Sequence, residues 1–188
     1  MGEPFDELMS LLDSPVFLVT TQADGQPSGC LVSFATQVAV QPPRFMVAIA
    51  KTNQAAIVAG RSGHLAVHLL SQGRHTLAEL FDGQDETSKF ARCSWRAGPQ
   101  GMPILDDAAA WFVGRILDRA DFGDHLGYLL EPAGVWAPEN PDELLYLSDL
   151  DDDDSGGTGH EEPQPFHDRE PADTPRRYGV PRFTLDRF

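Results

Sequence analysis

Cysteine and long apolar runs are both scarce in this chain. Its two cysteines, Cys30 and Cys93, are too few for a disulfide framework, and neither belongs to a CxxC or Cys/His cluster of the kind that holds zinc. No run approaches the roughly 20 apolar residues that a membrane-spanning helix needs, and the N-terminus MGEPFDEL is acidic, unlike a basic signal sequence. The sequence therefore predicts a globular cytoplasmic protein.

Basic residues are also few in this chain. The chain has 14 Lys and Arg residues against 29 Asp and Glu residues, which gives a formal net charge of −15. A surface field of that sign repels phosphodiester backbones and anionic lipids. We therefore expect neither nucleic acid nor membrane among its partners.

Two histidines four residues apart, His64 and His68, are the strongest metal candidates, but their context argues against a site. The surrounding LAVHLL is typical of a strand. On a strand the two side chains share one face but lie about 13 Å apart at ~3.3 Å per residue. One metal ion cannot bridge that distance, so we expect no metal.

The first fifty residues show a β pattern. Val16–Thr21 is apolar and β-branched, and Asp24-Gly25 predicts a hairpin, because glycine accepts the positive φ of a tight primed turn. The pattern then predicts a strand over residues 29–40. That strand should end at Pro42-Pro43, which cannot donate ladder hydrogen bonds. Residues 45–50 form the next predicted strand.

The segment Lys51–Gln54 is a candidate anion site. Asn53 or Thr52 can cap a helix whose body is AAIVA and whose end is expected at Gly60. Free N–H groups at a helix N-terminus, beside a lysine, favour an anion such as phosphate. The spacing alone fits an ordinary capped surface helix equally well, so the wider pattern has to decide.

Later segments continue the mainly β pattern. Short helices are predicted at 5–12 and 72–81, the second ending near Gly83. Further strands are predicted at 111–117, 125–136 and 143–147. So many short strands favour a small closed barrel over an open sheet.

Composition divides the chain into three regions. Residues 1–147 are predicted to form the folded domain. Residues 148–173 are rich in acidic residues, glycine and proline, and have little apolar area to offset the entropy of ordering, so we interpret them as a disordered acidic linker. Residues 174–188 regain basic and aromatic side chains. This last segment either docks on an acidic surface, binds a partner or stays unstructured, as chain ends often do.

An ordered set of motifs over residues 10–150 resembles the flavin reductase-like family, the FMN-binding split barrels. The matching residues are Asp24-Gly25, Gly29-Cys30, Val32-Ser33, Thr36, Pro42-Pro43, Lys51, Asn53, Gly63–Leu70, Leu77–Phe81, Lys89-Phe90, Gly101–Leu105, Trp111–Leu117 and Gly123-Asp124-His125. The resemblance implies a mainly β fold: an FMN-binding split β-barrel, Greek-key-like, with a few short helices.

The same resemblance implies the site residues. His125 would be the catalytic residue beside flavin and nicotinamide. The cofactor-binding residues would be Ser33, Phe34, Ala35 and Thr36 at the flavin ring and ribityl chain, and Lys51, Thr52, Asn53 and Gln54 at the phosphate. This chain departs from the family pattern at Phe34, Ala35 and Ala55, where two hydroxyl donors are absent.

The implied function is NAD(P)H-dependent reduction of a flavin, FMN with FAD as the alternative, bound at the interface of a homodimer. The reduced flavin could serve a separate monooxygenase. Hydride transfer asks the protein mainly for stacking, distance and electrostatics, so the lack of a catalytic triad does not argue against an enzyme. The alternative is a non-catalytic split-barrel module that binds flavin or a partner. Phe34, Ala35 and Ala55 favour the module. The residues that favour the enzyme are Lys51, Asn53 and Asp124-His125.

Overall fold

The structure is a computed structural model that describes residues 3–83, 86–140 and 142–151. Its elements are α1 (Glu3–Met9), β1 (Phe17–Ala23), β2 (Gln26–Val32), β3 (Ala35–Ala39), β4 (Arg44–Ala50), α2 (Gln54–Arg61), β5 (His64–Leu69), α3 (His75–Asp82), α4 (Glu86–Arg92), β6 (Trp95–Ala97), β7 (Pro103–Leu105), β8 (Ala110–Asp121), β9 (His125–Trp136) and α5 (Leu147–Asp151). The predicted mainly β fold with a few short helices is confirmed. In the described part of the chain, no helix is long and apolar enough to cross a membrane.

One antiparallel sheet of seven strands organises the domain, in the order β2-β1-β5-β8-β9-β4-β3. β2 at one end of this order also contacts β4, which lies next to the other end, so the sheet curls around a shared core. β6 and β7 pair separately as a two-stranded ribbon. The curled antiparallel sheet agrees with the split barrel that the resemblance implied.

The main core lies inside the curl of the sheet. Phe17 and Val19 of β1 point into it, together with apolar residues of β4, β5, β9 and α2. Leu18 points to the opposite face, where it packs in a second cluster with Phe81 of α3. Both faces of β1 are therefore buried, which explains why its sequence is a continuous apolar and β-branched run rather than an alternating one.

The hairpin prediction at Asp24-Gly25 is confirmed. Both residues have left-handed backbone angles, with φ of 54° and 73°. Ala23 pairs with Gln26 across this two-residue turn, and the register runs on to the pair Phe17 and Val32. The turn therefore sets which side chains of β2 face the core.

The single strand predicted over residues 29–40 is wrong. The chain ends β2 at Val32 and begins β3 at Ala35, because β2 pairs with β1 and β3 pairs with β4, at opposite ends of the sheet. Ser33 and Phe34 make the crossing. The N–H of Ala35 donates to the carbonyl of Ser33 at 3.1 Å, and the N–H of Ala48 in β4 donates to the carbonyl of Phe34 at 2.8 Å. No glycine or proline marks this break in the sequence.

Other predicted boundaries also shift. α1 ends at Met9 rather than at residue 12, and α2 continues past Gly60 to Arg61 before Ser62 caps it. Residues 143–147 make two isolated bridges, to Ser71 and Pro15, rather than a strand. The first residues of the predicted linker, 148–151, belong to α5. The remainder of that linker and the segment 174–188 lie outside the described residues.

His68 is a structural residue of β5. It is fully buried, with Nδ1 3.0 Å from the carbonyl oxygen of Leu18 and Nε2 accepting from the N–H of Leu105 at 3.2 Å. These two contacts require a neutral ring with its proton on Nδ1, and burial lowers its pKa to about 4. Across residues 3–83, 86–140 and 142–151, no group of three His, Cys, Asp or Glu residues could hold a metal ion.

Candidate functional site

Three segments from different parts of the sequence meet at the end of β4. The last residue of that strand, Ala50, pairs with His125, the first residue of β9. The N–H of Lys51 donates to the carbonyl of Asp124 at 2.9 Å, and the carbonyl of Phe34 is hydrogen-bonded to β4. The β2–β3 crossing, the β4–α2 loop and the β8–β9 turn therefore lie side by side.

Phe34 and His125 form the aromatic part of this surface. Their ring centroids are 5.2 Å apart with the planes at 68°, an edge-to-face arrangement. Phe34 is 60% exposed, although it sits between strands of a packed sheet. An exposed aromatic ring beside an imidazole is suited to contact a planar ligand.

The ring of His125 is oriented by its neighbour in the β8–β9 turn. Nδ1 lies 2.8 Å from Oδ1 of Asp124. The hydrogen bond from His125, followed by its charge, lowers the pKa of the Asp124 carboxyl. Nε2 of His125 has no hydrogen-bond partner among the described residues, so this nitrogen is free to meet a ligand.

The β4–α2 loop caps α2 as the sequence predicted. Oδ1 of Asn53 accepts from the N–H of Ala55 at 2.9 Å, and the carbonyl of Asn53 accepts from the N–H of Ala56. Within the described ranges, the N–H groups of Thr52 and Gln54 have no acceptor. These two donors and the Lys51 ammonium are the groups that this loop offers to an anion.

Ala35 and Ala55, two of the departures from the family pattern, both direct their side chains inward. Ala55 is buried in the main core, and Ala35 packs against it from β3. A hydroxyl at position 55 would point away from the surface, so the Ala55 departure removes less from the site than the sequence suggested. Phe34 is exposed, so a hydroxyl at that position would face the surface. Thr36 is exposed and Ser33 is half-buried, which leaves two hydroxyl groups at the crossing.

Small residues lie on the outer face of the sheet beside this loop. Ala48 of β4 pairs with Gly127 of β9, which in turn pairs with Ala120 of β8. A Cβ at Gly127 would lie 2.2 Å from the ring of Phe122, so any larger residue there would displace that ring. A cavity of about 190 Å³ opens here between β4, β8 and β9. Small and aromatic residues at a cavity of this kind suit a planar ligand.

The sequence argument missed two residues of this surface, Asp121 and Phe122. Both lie in the β8–β9 turn, and Oδ1 of Asp121 is 2.6 Å from Nζ of Lys51. The only sequence signal was their position directly before Gly123-Asp124-His125. A second cavity of about 260 Å³, between α3 and the segment that follows α4, shares none of the predicted site residues.

Comparison with known proteins agrees with this geometry. Residues 9–150 match the family described as flavin reductase like domain. An FMN reductase (NADH), RutF, from Methylorubrum extorquens strain DM4 is 35% identical over 143 residues, which cover 76% of this chain and 70% of the relative. The 4-hydroxyphenylacetate 3-monooxygenase reductase component of Pseudomonas aeruginosa strain PAO1 is 30% identical over 149 residues, covering 78% and 88%.

A solved structure extends the likeness to three dimensions. The flavin reductase domain protein from Arthrobacter sp. FB24 superposes with a TM-score of 0.71 at 25% identity, covering 78% of this chain and 90% of that one. The sequence match spans the whole sheet and every segment that meets at the end of β4. The chain belongs to the flavin reductase-like family.

Proposed function

We propose that this chain is an NADH-dependent flavin reductase that binds FMN on the surface formed by Phe34, Lys51 and His125. The observation that carries the proposal is the meeting, at the end of β4, of a helix N-terminus that offers N–H groups and a lysine with the exposed ring of Phe34 and the imidazole of His125. FMN has those two parts, a phosphate and a planar ring. A relative named FMN reductase (NADH) supports the choice of flavin and nicotinamide.

The phosphate end is held by the β4–α2 loop. Lys51 supplies the positive charge, while the N–H groups of Thr52 and Gln54 supply directed hydrogen bonds. The Asn53 side chain is occupied as the cap of α2. Asn53 therefore stabilises the loop conformation in which the N–H groups of Thr52 and Gln54 and the Lys51 ammonium can reach the phosphate.

The ring end lies against the crossing between β2 and β3. Phe34 provides an aromatic wall, and the hydroxyls of Ser33 and Thr36 reach the ring edge and ribityl chain. Ala35 contributes through its backbone, because its side chain faces the core. When bound, the flavin supplies the hydride acceptor, and the surface only has to position it and exclude water.

His125 is the proposed catalytic residue. Asp124 holds Nδ1, so Nε2 is presented to the ligand in one orientation. In the neutral ring the proton lies on Nδ1 towards Asp124, so Nε2 can accept a hydrogen bond from the nicotinamide amide; in the protonated ring Nε2–H can donate one to the reduced flavin.

Steady-state kinetics test the activity and the role of His125. We expect the purified chain to consume NADH only when FMN is added, and His125→Asn to lower kcat about a hundredfold, at the lower end of general acid–base contributions, with little change in FMN affinity. The matched control is His75→Asn on α3, outside the site, which should leave both unchanged. FMN binding without NADH consumption would favour the alternative, a non-catalytic flavin-binding or partner-interaction module.

We also propose that the chain works as a homodimer. The candidate surface is one-sided, and elsewhere on the sheet Val38 of β3 and Val135 and Trp136 at the end of β9 are exposed. A second copy would cover these residues and provide the other wall of the flavin slot.

A separate monooxygenase is the proposed consumer of the reduced flavin, because one relative is named the reductase component of such a system. Anaerobic reduction of many equivalents of free FMN per subunit would show that flavin leaves after each turnover. Reduction of a single equivalent would argue for a resident cofactor. The cytoplasmic location remains a prediction from the sequence.

A further inference from the structure

The ammonium group that we assign to the flavin phosphate already has a carboxylate partner. Nζ of Lys51 lies 2.6 Å from Oδ1 of Asp121, at the end of β8. The same oxygen accepts a hydrogen bond from the N–H of Gly123 at 2.9 Å, which fixes the carboxylate within the β8–β9 turn. The hydrogen bond from Lys51, and then that from Gly123, lower the pKa of Asp121. The carboxylate is therefore ionised at neutral pH.

A second carboxylate lies in the same turn. Asp124 accepts the backbone N–H of Lys51 through its carbonyl, and its side chain is hydrogen-bonded to His125. The charge of Lys51 contributes, after His125, to the lowered pKa of Asp124. One lysine thus faces two carboxylates at the point where the phosphate is proposed to bind.

This arrangement weakens the electrostatic attraction between the Lys51 ammonium and a phosphate. An incoming phosphate has to share the ammonium with Asp121 or displace it, and the two anions repel one another at that range. Riboflavin has no phosphate, so neither effect acts on its binding. The ion pair therefore changes the difference in affinity between FMN and riboflavin, rather than the affinity for flavins in general.

We infer that Asp121 is a specificity-determining residue of this site: it competes with the flavin phosphate for Nζ of Lys51 and so keeps the affinities for FMN and riboflavin close together. The inference rests on the proposed function, because it takes the N-terminus of α2 as the phosphate position. A weak hold on the phosphate suits a flavin that enters and leaves as a substrate.

The test is Asp121→Asn in the full chain, with FMN and riboflavin titrated separately by fluorescence quenching. Asparagine keeps an oxygen acceptor for the N–H of Gly123, so the turn retains its hydrogen bond while the charge is removed. We expect FMN to bind about fivefold more tightly, the factor that corresponds to one exposed charge interaction. Riboflavin affinity should stay within roughly twofold of wild type.

Two further variants separate competition from other effects. Asp107→Asn removes an equal charge from a carboxylate that pairs with Arg74 at 2.9 Å, away from the proposed flavin surface, and should leave both affinities unchanged. In a Lys51→Met background, Asp121→Asn should lose most of its effect on FMN. Thermal denaturation of each variant checks that the fold is retained.

The outcomes distinguish this inference from the proposed function. If the wild-type chain binds both flavins but Asp121→Asn changes them equally, or weakens FMN, competition for Lys51 is wrong and the proposed function stands. An undiminished FMN gain in the Lys51→Met background would likewise overturn the competition. If the wild-type chain binds neither flavin, the proposed function and this inference fall together.

Discussion

Lys51 is the residue whose charge we propose distinguishes a phosphorylated ligand from any other planar ligand. We expect Lys51→Ala to weaken FMN binding by about 1.5 kcal/mol, near the lower end for a charge-assisted hydrogen bond, because Asp121 already shares the ammonium. Riboflavin binding should not change. Parallel fluorescence titrations of the two flavins measure the difference.

The matched control for Lys51 is Arg61→Ala. Arg61 carries the same charge at the other end of α2, where it pairs with Asp24 at 3.1 Å. Its loss should leave both flavin affinities unchanged. Equal weakening of FMN and riboflavin by Lys51→Ala would instead show that the lysine supports the loop rather than the phosphate.

His68 makes the stability of the domain depend on pH. Its pKa is about 4 in the folded chain, lowered chiefly by burial, against an ordinary value of 6.5. The unfolded chain therefore takes up the proton first as the pH falls. The contribution of neutral His68 to the free energy of unfolding should have its full value above pH 6.5. It should decline between pH 6.5 and 4, by at most about 3 kcal/mol.

Urea unfolding of wild type and His68→Gln across that range checks the prediction. The variant lacks the titrating ring, so it should show a shallower decline, although it should be less stable at pH 7.5 by about 1 to 3 kcal/mol because a buried hydrogen bond is lost. Other titrating groups, such as His64 and the paired carboxylate Glu131, occur in both proteins and cancel in the comparison. If the free energy of unfolding falls with pH equally steeply in wild type and His68→Gln, His68 is not the source of the pH dependence.

At the scale of elements, the N-terminus of α2 combines a structural cap with a binding surface, and Asn53 allows the two to be separated. Asn53→Ala removes the acceptor for the N–H of Ala55 and should lower the free energy of unfolding by about 1 kcal/mol. Asn53→Asp keeps the cap but places a negative charge beside the phosphate. It should retain stability within about 0.5 kcal/mol and weaken FMN more than riboflavin.

Thermal denaturation and flavin titration of the two Asn53 variants decide between these roles. A stable Asn53→Asp protein with unchanged FMN affinity would place the phosphate somewhere other than the N-terminus of α2. Loss of stability in both variants would mean that the amide N–H₂ of Asn53, and not only its oxygen, supports the loop.

At the scale of the whole molecule, exposed apolar residues at one side of the sheet predict self-association. Val40 is 77% exposed and Val135 is 70% exposed, and a cavity of about 210 Å³ lies beside Val135 between β3, β8 and β9. We expect sedimentation to give a dimer at micromolar concentration. Val135→Lys should shift it toward monomer and weaken FMN binding at the same time.

Ile57→Lys provides the comparison for the dimer, because Ile57 is also an exposed apolar residue but lies on α2. It should leave the dimer intact. A wild-type chain that sediments as a monomer while binding FMN fully would show that one subunit supplies the whole site.

Local sequence determined the features that depend on neighbouring residues alone. The Asp24-Gly25 turn follows from the backbone freedom of glycine, the start of α2 from the capping chemistry of Asn53, and the buried β1 from an unbroken apolar run. The ordered motifs over residues 10–150 also sufficed to identify the family.

Only the tertiary structure decided which segments meet. The break at Ser33 and Phe34 arises because β2 and β3 pair with different partners, and no local pattern encodes the choice of partner. The contact of Asp121 with Lys51 spans 70 residues and depends on β4 and β9 lying side by side. The inward orientation of Ala35 and Ala55 is likewise a matter of strand and helix packing. The sequence alone determined the types of groups available for a flavin, whereas their common surface and their competing charges depend on long-range pairing.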